Sequence, residues 1–478
     1  MASASLAMKR APWNDEGWFA VPAQTLLTRG YMGSPIVHPR GTWLTGELTG
    51  IRTHTYWLMP GYLLFEAGWY RIFGFGIFQM RAIPVFSGLV VIWAWAFIVW
   101  RISRNRTAAW LTAALLALDI TFLYTATDGR PDMTTFALGS LGLSAYLCLR
   151  ERSLTLALFL ANAFIGAAMY CHPNGMICAF LLALFVGCYD RHRLRWKDAL
   201  SLTAYLVFAG AWLIYILDRP DYFLAQFRAN AASPMVDRTS GIRHPLNGVV
   251  EEVTGRYLEH FGGSSVWAQL PRQTRIIPFL YWGCVTYLLC QAAARKNRGA
   301  ALIGALAVAT FLFMSVFVSR KGASYLVSIM PLYAACGALA LRPEPGRFGR
   351  IPVVLLTALT VVNGLALVGA LSRDAYRDGY LPVVSYLESH ATRETPINGN
   401  PGLIFAMPDY RITDDSRLHD PADYIVVDRW YLFDWRFCHP TYEPATAVEV
   451  ARKLTDYRTV FETNGWSILQ RFPRVTAH

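Results

Sequence analysis

Two acids stand side by side near the start of the chain, in Trp13-Asn14-Asp15-Glu16-Gly17-Trp18. A second acidic group, Asp128-Gly129-Arg130-Pro131-Asp132, precedes a long apolar run. A positioned carboxylate can take the proton of an attacking hydroxyl. Cations such as Arg130, Arg320 and Lys321 can hold a phosphate. His54 in Thr53-His54-Thr55-Tyr56-Trp57, His172 in Cys171-His172-Pro173-Asn174-Gly175, and Tyr325 after the Arg320-Lys321 pair complete the set. Acids, bases and cations in this mixture suit a phosphate-bearing substrate. Each residue also has an ordinary alternative. Asp is favoured at helix N-caps, which leaves cap and function open for Asp132, and the others suit solvated loops. What joins them is their position relative to the apolar runs.

Those runs dominate the sequence. Of 478 residues 54% are hydrophobic and 16% charged, where a soluble domain carries about a quarter charged. Membrane spans are expected at 79–100, 107–125, 133–149, 154–170, 174–189, 198–217, 273–292, 299–318, 323–341 and 351–372. The alternate loops 101–106, 150–153, 190–197, 293–298 and 342–350 hold fifteen Lys and Arg residues. The short opposite loops hold Arg130 in one, Arg320 with Lys321 in another, and none in 171–173. The positive-inside rule puts the first set in the cytoplasm. Residues 1–78, 126–132, 218–272 and everything from about 373 then lie outside, which brings all the candidates to one membrane face. A carboxylate at that boundary, such as Asp132, is costly unless paired, solvated or used.

The same pattern accounts for the net charge of +12. The basic residues orient the chain in a membrane, so nucleic acid is not an expected partner. Eight cysteines include no CxxC pair, and Cys438 is alone in the tail. Neither a zinc framework nor a tail disulfide is expected. Some 78 residues precede the first expected span, and MASASLAMKR lacks the apolar stretch of a secretory signal. Either that span carries its own N-terminal segment across, or a further helix precedes it.

Residues 55–75, apolar and aromatic but interrupted by Pro60, Gly61 and Glu66, predict two short helices lying at the outer membrane surface. The tail reads as a small α/β domain. It has a strand at 424–428, an amphipathic helix at 447–457, and a hairpin about Asn464-Gly465. The fold class is thus mainly α: a polytopic helical bundle with about ten spans and a small extracytoplasmic α/β domain at the C-terminus. Three parts are expected: 1–78, a first outer loop with surface helices; 79–372, the membrane domain with its large 218–272 loop; and 373–478, the α/β domain.

Asp15-Glu16, the Tyr31 region, Thr53-His54-Thr55-Tyr56-Trp57, Pro60-Gly61-Tyr62, Arg71-Ile72-Phe73-Gly74 and Arg81 before a span occur in an order that resembles the GT-C membrane glycosyltransferases. The likeness is to bacterial relatives of protein O-mannosyltransferases and lipid A aminoarabinose transferase. Gly129-Arg130-Pro131-Asp132 resembles their second acidic motif, and His172-Pro173-Asn174-Gly175 also has a counterpart. The resemblance is good over about 13–190, weaker to 341, and only positional in the tail. It implies inverting transfer of a hexose or pentose from a polyprenyl-phosphate carrier, on the outer face of the plasma membrane, to a glycan, lipid or protein acceptor. Asp15 matches the family's catalytic first-loop acid, with Glu16 beside it, and Asp132 its second acid. The family's helix before the first acid is missing here. So is its Lys-Pro-Pro stretch, since Trp57-Leu58-Met59-Pro60 holds no Lys. His54 or Lys321 would have to hold donor phosphate instead, with Arg130, His172, Arg320 and Tyr325 as further donor contacts.

Inverting transfer needs one base for the acceptor hydroxyl, and cations stabilise the departing phosphate. No DxD pair suggests a metal–nucleotide site, so neither metal nor cofactor is expected. The competing class is a transporter or flippase of lipid-linked sugars. No internal repeat and no ionisable residue near mid-span supports it; Asp119, late in its span, is the nearest exception. A non-catalytic assembly subunit is a third reading, disfavoured by the two acids.

Overall fold

The structure is a computed structural model and describes residues 2–41, 46–231, 241–259, 272–319, 321–341, 350–433 and 444–472. Arg320 and Cys438 lie outside these residues. The chain divides into two compact units. One is built from Ala82–Ile214 and Arg238–Ser372, the other from Ala2–Arg81, Tyr215–Asp237 and Arg373–His478.

The first unit is helical. Each expected span falls on one helix or on two in succession, and among the described residues six helices are long and apolar enough to cross a membrane: Ile77–Ser103, Leu154–Cys171, Trp196–Asp218, Thr274–Arg295, Arg298–Phe317 and Ile351–His390. Three shorter apolar helices accompany them, Arg106–Leu118, Pro173–Tyr189 and Met330–Ala340. Pro131–Leu149 packs against Leu154–Cys171 through small residues. A side chain at Gly142 would press to 2.8 Å of the Ala161 carbonyl, and such close approach supplies helix packing where lipid removes the hydrophobic drive. Arg150, Arg193 and Tyr146 all bond Asp190 at one end of this group.

The expected span at 107–125 is interrupted. One helix ends at Leu118, and Ile120–Thr125 begins after Asp119, whose Oδ1 accepts from the Phe122 amide at 2.9 Å. Tyr281 donates to its other oxygen at 2.8 Å, and Asn363 Oδ1 accepts the Ile120 amide at 2.9 Å. The acid in the span is therefore a helix cap with both oxygens bonded, which removes a transporter's mark.

The second unit gathers three distant stretches. Helices Ala2–Lys9 and Asn14–Arg29 open it. Residues 55–75 form one helix, Pro60–Phe73, rather than two: Pro60 sits at the first helical position, where a missing N–H costs nothing. Glu66 is accommodated by burial beside Tyr70, whose hydroxyl donates to it at 3.1 Å. Gly74, at φ 84°, ends the helix. The tail holds a five-stranded sheet of β1 (Ile397–Asn398), β2 (Ile412–Thr413), β3 (Tyr424–Val427), β4 (Tyr457–Thr463) and β5 (Trp466–Arg471). The order is β2-β1-β3-β5-β4, with β1, β2 and β3 parallel and the rest antiparallel. Asn464 and Gly465 take positive φ, 22° and 85°, in the expected hairpin. Helix Pro444–Leu454 lies where the amphipathic pattern predicts one.

Candidate functional site

The candidates of the second unit centre on helix Asn14–Arg29. Asp15 is its second residue and half-buried. Its neighbours fix the turn that carries it. Glu16 is fully buried, and both its oxygens are gripped at 2.6 Å by Arg81. Arg81 also donates to the carbonyls of Ala7, Arg10 and Ala11, so its guanidinium is fully used. Gly17 lies against the Pro401 backbone so closely that no side chain fits. The Trp18 indole donates to Asp414 at 2.7 Å. Three consecutive residues are thus committed to structure, and the acid before them is held at a fixed place.

His54 also has a structural partner. Its Nε2 is 2.7 Å from Asp218, and its Nδ1 is 3.0 Å from Thr53. Beside it Tyr56 donates to the Tyr215 carbonyl at 3.0 Å, and burial pushes this phenol's pKa up to about 12. The buried Gln226 accepts from the Tyr56 amide and donates to the carbonyls of Thr49 and His54. This fastens 48–56 to helix Pro220–Ala231.

The remaining candidates belong to the first unit. Asp132 is the second residue of helix Pro131–Leu149. Its Oδ2 accepts from Arg130 Nε at 2.8 Å, whereas Oδ1 is buried without a hydrogen-bond partner. The Arg130 guanidinium lies 6.0 Å from the Tyr325 ring, within cation–π range. The His172 ring is 5.5 Å from the same tyrosine, and its Nδ1 accepts the Asn174 amide at 3.1 Å. A second guanidinium, Arg256, lies 5.9 Å from the Tyr325 ring. Arg256 is fully buried and bonds Glu252 at 2.5 Å, four residues before it.

Lys321 stands behind this group. Its ammonium bonds Glu252 at 3.1 Å and the carbonyls of Ser315 and Val318 at 3.0 and 2.9 Å. It closes the end of helix Arg298–Phe317 and neutralises Glu252, so its charge is already spent within the fold. Arg256 escaped the sequence reading because 218–272 read as a loop. The i, i+4 spacing of Glu252 and Arg256 was the available signal. Arg130, Asp132, His172, Tyr325 and Arg256 form a partly buried wall with two guanidiniums around one phenol, and with an unmatched carboxylate oxygen. Such a wall can hold an anion and a hydroxyl together.

The fold itself has relatives. ArnT from Cupriavidus metallidurans, solved bound to undecaprenyl phosphate, matches with a TM-score of 0.61 at 17% identity, over 99% of this chain and 96% of that one. The archaeal oligosaccharyltransferase AglB from Archaeoglobus fulgidus, in complex with an inhibitory peptide and a dolichol-phosphate, matches at 0.54 and 11% identity, over 97% and 73%. The chain shares the fold of these structures. The likeness runs through the α/β tail as well as the helices, since nearly the whole chain is covered. No protein-family model and no curated protein matches the sequence.

Proposed function

We propose that this chain is an inverting glycosyltransferase that moves a sugar from a polyprenyl-phosphate carrier to an acceptor hydroxyl at the outer face of the plasma membrane, with ten spans and an outward tail. The observation that carries the reading is Asp132: one oxygen bonded to Arg130, the other buried without a partner, beside two guanidiniums and a phenol. A buried unmatched acceptor is costly, and a sugar or acceptor hydroxyl would satisfy it. The GT-C fold supports the same class, because structures sharing it were solved with undecaprenyl phosphate and with a dolichol-phosphate.

In this reading Asp15 takes the acceptor's proton as its oxygen bonds the anomeric carbon. The bond from that carbon to phosphate oxygen breaks, and polyprenyl phosphate leaves with the electron pair. Arg130 and Arg256 offset the charge growing on the phosphate. Tyr325 and His172 shape the donor contact, and Asp132 orients a hydroxyl. Glu16 and Lys321 hold the scaffold rather than the substrate, because their charges are matched internally. His54, tied to Asp218, positions the first segment.

The test is conversion by purified protein in lipid. Polyprenyl-phosphate sugar plus acceptor should give product and free polyprenyl phosphate, whereas nucleotide sugars should give none. Movement of intact donor between leaflets, with no cleavage across varied acceptors, would replace the transferase by a flippase.

A further inference from the structure

A second group of side chains, all in the second unit, takes no part in the proposed transfer. His38, Asp415 and His419 each offer a ligand atom, and these atoms lie within 4.8 Å of one another. We propose that His38, Asp415 and His419 bind a divalent transition-metal ion of the zinc class, which fastens the segment after helix Asn14–Arg29 to the α/β tail.

Backbone pairing places each ligand independently of any ion. Val37 forms a parallel bridge with Asp414, in which the His38 amide donates to the Asp414 carbonyl at 3.1 Å and the Asp414 amide to the Ile36 carbonyl at 2.7 Å. His38 thereby sits at the end of β2 where Asp415 leaves the sheet. Asn398, at the end of β1, exchanges two bonds with the Asp415 backbone at 2.8 and 3.0 Å. Both anchors lie at the carboxyl ends of parallel strands, where open α/β sheets place their ligands.

Side-chain geometry then converges. The two imidazoles stack at 4.7 Å with planes 9° apart. Asp415 presents Oδ1 to His419 Nδ1 at 3.0 Å. Its Oδ2 is held by the amides of His419 and Asp420 at 2.5 and 3.0 Å. These amides fix the carboxylate from behind, as the outer partners of metal ligands do. Asp415 is buried, so its charge has little solvent to lean on. Gly41 completes the wall, since a side chain there would come within 2.8 Å of Asp415 and His38.

Two imidazoles and a carboxylate favour zinc, cobalt or nickel over calcium or magnesium, which prefer oxygen alone. Tetrahedral zinc at about 2.0–2.2 Å from each ligand needs the three atoms to draw somewhat closer. His419, at the rim with its side chain 34% exposed, has room to turn. Asp420, exposed and 3.9 Å from His38 Nε2, is placed to supply a fourth oxygen. Coordination replaces the 3.2 Å contact from the Arg40 amide to His38 Nδ1.

The ion has a structural consequence within this unit. Trp18, three residues after Asp15, bonds Asp414, the neighbour of the ligand Asp415. Clamping His38 to Asp415 therefore stiffens the strand end that holds the turn of Asp15. The ion takes no step in sugar transfer.

The test uses full-length protein without a histidine tag, stripped by chelator and then given zinc or cobalt alone. Wild-type protein should bind about one cobalt per chain, with the visible absorption of a tetrahedral nitrogen–oxygen site. Zinc should raise its Tm, and chelator should reverse the rise. His38→Ala and His419→Ala should each weaken metal binding by more than about 100-fold while keeping the Tm of stripped wild type. Cobalt uptake by wild type no greater than by His419→Ala, or a wild-type Tm indifferent to both zinc and chelator, overturns the proposal. Both outcomes on wild type stand whether or not the variants fold, and neither depends on transfer activity.

Discussion

Arg81 holds both carboxylate oxygens of Glu16 at 2.6 Å, and neither side chain reaches solvent. Two adjacent acids of the same charge are thereby given different work. Glu16 is a fixed buried counter-charge, and Asp15 is the acid placed by it. A buried pair broken on one side leaves an uncompensated charge, which costs about 3–5 kcal/mol. Glu16→Gln should therefore lower the Tm and yield of the protein. Asp15→Asn should leave both near wild type. Thermal unfolding of the two purified variants side by side checks this contrast.

Asp15→Asn should nonetheless cut transfer by about 10²–10⁴-fold, the usual contribution of a general base. Size and helix position are preserved while the base is lost. Initial rates with lipid-linked donor, normalised to folded protein, provide the measurement. Near-normal turnover would remove Asp15 from the chemistry.

The proposed roles of the cations near Tyr325 can be told apart by their effect on donor KM, although Arg256 and Lys321 both pair with Glu252. Arg256→Gln should raise the KM for donor by about 10–100-fold, in line with the loss of hydrogen bonds to a charged group, and should also lower the Tm, because Arg256 is a buried partner of Glu252. Lys321→Met should lower thermal stability and leave donor KM close to wild type, since its ammonium is bonded to Glu252 and helix-end carbonyls. A donor KM that responds to Lys321 and not to Arg256 would exchange their roles.

Glu66 makes a pH-dependent contribution. Burial pushes its carboxyl well above the usual range, more than the hydrogen bond from Tyr70 pulls it down. The unfolded chain ionises this group near its ordinary value of about 4.3, so above that pH unfolding releases a proton. Stability should fall as pH rises from the unfolded value to the folded one, and then level off. Glu66→Gln, neutral at every pH, should remove this slope and raise Tm at neutral pH. Tm measured against pH for both proteins decides it.

Orientation can be read from outside the cell. In a background lacking native cysteines, a cysteine at position 194 should escape a membrane-impermeant reagent in intact cells. One at position 225 should react. Labelling at 194 would invert the membrane and remove the shared outer face.

The apolar helices and the tail hairpin were legible because their signals are local. Apolar runs, alternate basic loops and Asn464-Gly465 each declare themselves within a few residues. Asp119 was visible as an oddity, but its role as a cap depended on Tyr281 and Asn363, far along the chain. The same reason hid the partners of the acids. Nothing near Glu16 in sequence announces Arg81, and nothing near Trp18 announces Asp414. Arg256 was hidden differently, because its short π-helical stretch, Glu252–Glu259, lies within 218–272, which read as a loop between apolar runs. His38 gave no signal in the sequence, since its neighbours Asp415 and His419 come from the tail. Residue types were readable; which of them were already spoken for was not.

The unit that carries Asp15 joins stretches that lie far apart along the chain, Ala2–Arg81 and Arg373–His478 among them. The bond between Trp18 and Asp414 spans 396 positions, and contacts so remote form late and slowly. During synthesis the first stretch must therefore wait, with Glu16 and Trp18 in place but the tail still unmade. The acid's setting is complete only once Pro401 and Asp414 have been made. A nascent chain that stops before Pro401 would carry Asp15 on a turn lacking its Pro401 and Asp414 supports.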